Sequence, residues 1–428
     1  MRSQNTQKKI PGNGIIRKKL DNGLDLVLLR DAAVPVVAVD IWYKVGSRNE
    51  VPGKSGFAHL FEHMMFEGSE NVGKAEHMKL ISDVGGTMNG STSKDRTNYF
   101  EVVPANQLRL ALWLEADRMR SLKVTLENFE NQRSTVKEER RQRVDNAPYM
   151  RVFYEMLDEL AYQSWPYKHS VIGSMEDLDN ASLENVIAFH DKYYKPNNAV
   201  LSIVGDFYPE VALGMVAEYF GNISSGPAIE AVTINEPPQT AEKRTRWDDP
   251  FAPMPAYVCS YHIPARNHPD FYPIEMIEKI LLDGESSRLY HRLVEKEQLA
   301  LHIMGGVESK FGPNTFIFFG QLRPGKKLEQ IESILQDELE RLKTEKVSEQ
   351  EMEKAKTKFK ADFISKMEKT YYRADQLCFY TAFFDQPELL HSELERYLKV
   401  TPEMVQEAAR RYFNQKNRSV IEVYPAGG

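Results

Sequence analysis

The chain has 428 residues, 42% hydrophobic and 27% charged, with a net charge of −7. That length supports several domains with real cores, and the charge balance, lacking any long basic tract, excludes bulk electrostatic binding of nucleic acid. No apolar run reaches membrane-spanning length, and two distant cysteines, Cys259 and Cys378, exclude a disulfide scaffold or a cysteine-rich zinc module.

The stretch from Met1 to Lys9 has no apolar core, so no secretory leader is expected. The compartment then reads as cytoplasmic as the chain stands, or periplasmic if a leader has been removed. Asp21-Asn22-Gly23 is a tight-turn sequence of the kind that joins hairpin strands. Leu24 to Leu29 and the apolar Val36 to Tyr43 read as strands. A largely apolar helix follows from about Gly56 to Glu67. Residues 95–103, with Thr97, Tyr99, Phe100 and Val102, read as another strand. Helices are expected over about 105–122, 126–145 and 148–162.

The helix at 56–67 carries His59-Leu60-Phe61-Glu62-His63, an H-x-x-E-H pattern. Positions i and i+4 share a helix face, so both imidazoles can reach one metal ion. Glu62 lies between them, placed to take a proton from a water that the metal activates rather than to bind the metal. Two histidines and a glutamate on a surface helix would mean nothing. Here Phe57, Ala58, Leu60, Phe61, Met64, Met65 and Phe66 surround them, and unpartnered polar groups in such a setting are costly.

An internal repeat sets the architecture. Residues 182–205 (SLENVIAFHDKYYKPNNAVLSIVG) align without a gap on 401–424 (TPEMVQEAARRYFNQKNRSVIEVY), an offset of 219. Glu184, Val186, Tyr193, Asn198 and Val204 match Glu403, Val405, Tyr412, Asn417 and Val423. Each copy reads as an N-cap residue, Ser182 or Thr401, then an amphipathic helix and a final strand. Two homologous α+β halves follow, 1–225 and 247–428, with the Pro- and Gly-containing 226–246 as linker.

A third ligand is expected from another helix. In Val136-Lys137-Glu138-Glu139-Arg140, Glu139 falls about 60° from the apolar line through Phe129 and Val136, and Glu138 about 160° away. Glu139 therefore faces inward. Taken without the motif upstream, the charged run Lys137 to Arg143 would read as an exposed helix face.

With these residues in place, the chain resembles the pitrilysin and insulinase-type inverted-zincin metallopeptidases, especially the mitochondrial-processing-peptidase-like branch. The resemblance runs through Gly46-Ser47-Arg48, Gly56-Phe57-Ala58-His59, H-x-x-E-H, and Gly85-Gly86-Thr87-Met88-Asn89-Gly90-Ser91-Thr92 followed by Asp95, Thr97 and Tyr99. It implies a glutamate ligand about 76 residues after the motif, which from His63 is Glu139. It implies one Zn2+ per chain on His59, His63 and Glu139, with Glu62 as the general base. It also implies two halves, each a mostly antiparallel sheet covered by helices, that form half of a clamshell chamber. Asn89, Gly90 and Ser91 would lie on an edge strand that pairs with extended peptide substrate.

The sequence departs from the family in three places. Gly90 replaces the usual alanine, which is expected to loosen the edge strand or widen access. Gln132 stands where many members have a second glutamate; it is expected to hydrogen-bond only. The arginine and tyrosine seven residues apart, which polarise the substrate carbonyl in active members, are replaced by Val294 and Leu301; the nearby Arg288 and Arg292 have no matching tyrosine. The resemblance thus implies the zinc-bearing subunit of an endopeptidase for unstructured peptides. A homologous partner would supply the missing pair in a heterodimer, with neither nucleic acid nor a membrane span involved. Two other readings are a non-cleaving subunit of a processing-peptidase-like assembly and an unrelated zinc hydrolase such as an amidase.

Overall fold

A computed structural model describes residues 14–427. The expectation about a leader falls on residues outside the described ones. No helix among the described residues is long and apolar enough to cross a membrane.

The first half builds a six-stranded sheet from β1 (Ile15–Lys19), β2 (Asp25–Arg30), β3 (Val36–Tyr43), β4 (Thr87–Thr92), β5 (Thr97–Pro104) and β6 (Ala199–Gly205), in the order β1-β2-β6-β3-β5-β4. The second half builds a five-stranded sheet from β7 (Lys243–Asp249), β8 (Ala256–Ile263), β9 (Ala300–Val307), β10 (Asn314–Leu322) and β11 (Arg418–Pro425), in the order β7-β11-β8-β10-β9. Removing β1 leaves one order in both. With β1 set aside, the first and last strands of each half pair in parallel, β2 with β6 and β7 with β11, and the remaining pairs, β1 with β2 included, are antiparallel. The chain therefore folds as two homologous α+β domains, each a mixed sheet wrapped by helices.

The repeat is reproduced down to its caps. Ser182 and Thr401 each accept a hydrogen bond from the backbone N–H three residues on, at Asn185 and Met404. Asn198 and Asn417 each donate a side-chain N–H back to the last helical carbonyl, that of Tyr193 or Tyr412, at 2.9 and 2.7 Å. Such terminal bonds hold the helix at a fixed angle to the strand that follows.

Each half lends a helix to the other. Helix Thr370–Phe384 of the second half lays Ala374, Leu377 and Cys378 on the outer face of the first sheet, against Val27, Ala38, Trp42, Val200 and Val204. Residues 149–160 of the first half lay Tyr149, Val152 and Leu157 on the second sheet, against Val258, Phe319, Ile421 and Val423. These segments are counterparts, since 152–161 moved by the repeat offset falls on 371–380.

The expected helices are present with altered ends. Residues 108–121 and 126–140 are α-helical; 141–145 and 152–156 are wound more loosely, as π-helix. A short helix, Glu76–Asp83, is not among the expected elements, and strand β4 is expected only through the family resemblance.

The motif helix, Phe57–Met64, is held by aromatic packing. Phe61 stacks on Phe189 at 5.8 Å and on His190 at 5.7 Å, and His190 stacks on Tyr194 at 5.8 Å. Burial, aided by Lys195, pushes the His190 imidazole down to about 4. An unfolded histidine takes up a proton below about 6.5, whereas His190 in the fold stays neutral down to about 4. Its contribution to stability is therefore lost as pH falls through that window. We expect His190→Phe to flatten the dependence of unfolding free energy on pH there by up to about 1.4 kcal/mol per pH unit. Denaturant titrations at several pH values check this, and parallel slopes for the two proteins would refute it.

Candidate metal centre and peptide cleft

The motif helix begins without a cap of its own. Gly56 sits at φ +87°, and a Cβ there would lie 2.7 Å from the Ile172 carbonyl oxygen, so glycine is required. Glu50, from the preceding turn, fills the role instead. Its buried carboxylate accepts from the N–H groups of Gly56 at 2.9 Å and Ala58 at 2.8 Å. Glu50 in turn contacts His169 Nε2 at 3.0 Å. This arrangement sets where His59 and His63 point.

Both imidazoles meet Glu139. Its Oε2 lies 3.7 Å from His59 Nε2 and 3.2 Å from His63 Nε2, and the three donor atoms all fall within 4.8 Å of one another. Donors about 2.0–2.1 Å from one tetrahedral ion stand roughly 3.4 Å apart, close to the two distances to Glu139. Burial, then the neighbouring His63, lowers the His59 imidazole to about 4, which keeps it neutral as a ligand must be. The bond from His63, and then the charges around it, hold the Glu139 carboxyl below its ordinary value. Arg143, one turn on, pairs with Glu139 Oε1 at 2.7 Å and leaves Oε2 to the histidines. Glu138 points away, its side chain 55% exposed and paired with Arg141.

Glu62 stands beside this set and outside it. Its Oε2 accepts from the Thr92 hydroxyl at 2.7 Å. Burial raises the Glu62 carboxyl above its ordinary value, and the Thr92 bond works against that rise. A carboxylate so placed is able to exchange a proton with a water at the donor set.

A second buried trio, His77, Glu101 and Glu115, also lies within donor range. There the Arg118 guanidinium already sits 2.9 Å from Glu115 Oε2 and 3.7 Å from Glu101 Oε1. It supplies the positive charge a metal would bring, so this cluster reads as a buried ionic brace.

The donors open on a cleft of about 610 Å³. β4 forms one wall and is the free edge of its sheet. Asn89 is exposed there, and its side-chain oxygen accepts from the Gly90 N–H at 2.9 Å. Gly90 itself is buried. A Cβ at position 90 would stand 3.0 Å from the Tyr99 ring and 3.2 Å from Glu62 Cγ, so the missing side chain makes room for those two groups. Gln132 donates to the buried Glu67 at 2.6 Å and takes no part in the donor set.

Phe153 and Tyr154 also line the cleft, as do Glu308, Ser309 and Lys310 from the second half. The halves are tied together there. Asp158 sits between two ammonium groups, Lys94 at 2.8 Å and Lys310 at 2.6 Å. Asp95 accepts from Arg48, from the Tyr167 hydroxyl and from the Phe311 N–H. Sequence reasoning missed Thr92, Arg143 and the 308–310 segment as parts of the site. Thr92 was marked only as the end of the segment that carries the resemblance, and Arg143, four residues after Glu139 on one helix, left a local signal.

Val294 is half-buried and packs against the second core, while Leu301 lies on edge strand β9 with 48% of its surface exposed. Neither offers a polar group.

Comparison with known proteins agrees with this geometry. Residues 26–174 match the family described as Insulinase (Peptidase family M16), and residues 180–359 match the Peptidase M16 inactive domain. "Zinc protease PqqE" of Helicobacter pylori is 32% identical over 344 residues, 80% of this chain and 77% of that protein. A probable mitochondrial-processing peptidase subunit beta of Arabidopsis thaliana is 24% identical over 263 residues, 61% of this chain and 49% of that protein. The crystal structure of a protease from Helicobacter pylori superposes with a TM-score of 0.92 at 31% identity, over 96% of this chain and 99% of that one. By this likeness in sequence and fold, the chain belongs to the M16, insulinase-type, family of zinc metallopeptidases.

Proposed function

We propose that this chain is the zinc-bearing subunit of an endopeptidase that hydrolyses unstructured peptides, completed by a homologous chain. The observation that carries the reading is the separation of roles at the motif. His59, His63 and Glu139 converge as a donor set, while Glu62 is held just outside it on Thr92. Zinc bound by those three would supply a Lewis acid that lets a water lose its proton near neutral pH. Glu62 takes that proton and returns it to the leaving amine. The free edge of β4, at Asn89, Gly90 and Ser91, offers backbone groups to an extended peptide, which fixes its path whatever its sequence.

With Val294 and Leu301 in place of an arginine and a tyrosine, the chain has no group of its own at those positions to polarise the substrate carbonyl. A partner lacking the zinc motif but carrying the pair would complete one site per heterodimer, across a large interface. Relatives named as processing-peptidase beta subunits are consistent with such an assembly. One observation favours a non-cleaving subunit: the rat cytochrome b-c1 complex subunit 1 is also a relative, 23% identical over 262 residues. The intact donor set and base speak against that role here.

The test is turnover of a mixed peptide library by the purified chain, with its mass in solution recorded. Turnover should be low alone, abolished by a chelator, and raised roughly 10²-fold or more by a partner carrying the pair. Full activity as a lone monomer or homodimer would overturn the half-site reading. Cleavage that ignores the chelator would overturn the zinc reading.

A further inference from the structure

Strand β4 does more than border the cleft, because two of its residues grip the base. Positions 90 and 92 point to one face of the strand. Gly90 leaves the space in which Glu62 Cγ lies, at the 3.2 Å a Cβ would otherwise contest. Thr92 donates its hydroxyl to Glu62 Oε2 at 2.7 Å. The strand is itself pinned on either side of that contact. Ser91 donates to Asn98 at 2.7 Å, and Arg96 Nη1 donates to the Ser91 carbonyl at 2.7 Å and its hydroxyl at 2.6 Å. Arg96 also lies over the Trp42 ring at 5.0 Å. Lys94 and Asp95 are anchored immediately beyond, as described above.

Resting on the peptidase reading, we infer that Thr92 is a positioning residue that fixes the Glu62 carboxylate on the strand that pairs with the substrate. A carboxylate on a two-torsion stem at a half-open cleft has several rotamers. One directional bond from a rigid strand selects the one beside the metal site. Because the strand that holds the base is the strand that pairs with the peptide, the base and the scissile bond share one frame of reference.

A purely structural role is the competing account, since the Thr92 hydroxyl also lies 3.5 Å from the Ala58 carbonyl. The experiment compares Thr92→Val, which keeps the shape, with Thr92→Ser, which keeps the hydroxyl, and Thr92→Ala as a second deletion. Each is measured for zinc content, for affinity of the zinc-free protein for a peptide, and for kcat and KM with the partner present. For Thr92→Val we expect kcat to fall roughly 10- to 100-fold. Zinc content and zinc-free peptide affinity should not change, and KM should stay within about twofold. Thr92→Ser should restore kcat. Unchanged kcat in both deletions, a loss that tracks zinc or peptide binding, or no recovery with serine would overturn the inference. An unaltered, zinc-loaded chain with no turnover beside its partner would remove the peptidase reading and this inference together. Turnover of the unaltered chain that survives both deletions removes the inference alone.

Discussion

Replacing Glu62 with glutamine should leave zinc in place and lower peptide turnover by roughly 10²- to 10⁴-fold. The amide is close in shape to the carboxylate, and its oxygen can still accept the Thr92 hydroxyl, so neither the helix nor the two imidazoles need move. What is lost is a basic lone pair able to hold a proton between water and leaving amine. Metal analysis beside a cleavage assay separates the two properties. A zinc-loaded variant that cleaves at near-normal rates would remove Glu62 from its role.

The second large effect concerns metal rather than chemistry. Glu139→Gln should weaken zinc binding by more than about 100-fold, because loss of a direct ligand exceeds the cost of losing a supporting one. Glu138→Gln should change it little. Glu138 is mostly exposed and, among the described residues, pairs with its own helix through Arg141 and Gln142. Glu139 brings the anionic charge to a set otherwise made of neutral imidazoles. Dialysis against a weak chelator followed by metal analysis reads the difference directly. Equal zinc in the two variants would sink the assignment.

How much of this was legible in the sequence depended on the range of the interaction. The histidines at i and i+4 are a local pattern, and Glu139 could be set against Glu138 by helix phase alone, because Phe129 and Val136 marked the inner face. The two-half architecture was readable because duplication left the cap, helix and strand of 182–205 and 401–424 in register. Thr92 was not readable as the partner of Glu62. That contact depends on β4 lying over the motif helix, a matter of sheet register that a separation of thirty positions does not encode locally. Glu50 was close in sequence yet silent, because it caps a helix whose own N-cap is glycine. The 308–310 segment reaches the cleft from the other half, beyond any periodicity argument. The helix exchange was equally hidden. An amphipathic stripe says that a helix buries one face, not which sheet it covers.

That exchange bears on where such a chain comes from. Residues 149–160 covering the second sheet while Thr370–Phe384 covers the first is the pattern of an isologous pair, in which the same patch is given and received. A half-length ancestor with this topology could not have hidden the outer face of its own sheet. The apolar row Val27, Ala38, Trp42, Val200 and Val204 would have stood open to water until a twin arrived. Joining two such halves in one chain, through the segment at 226–242, covers both faces without an assembly step. The two halves are unequal at the positions that matter: the first carries His59, His63 and Glu139, and the second has the aliphatic Val294 and Leu301.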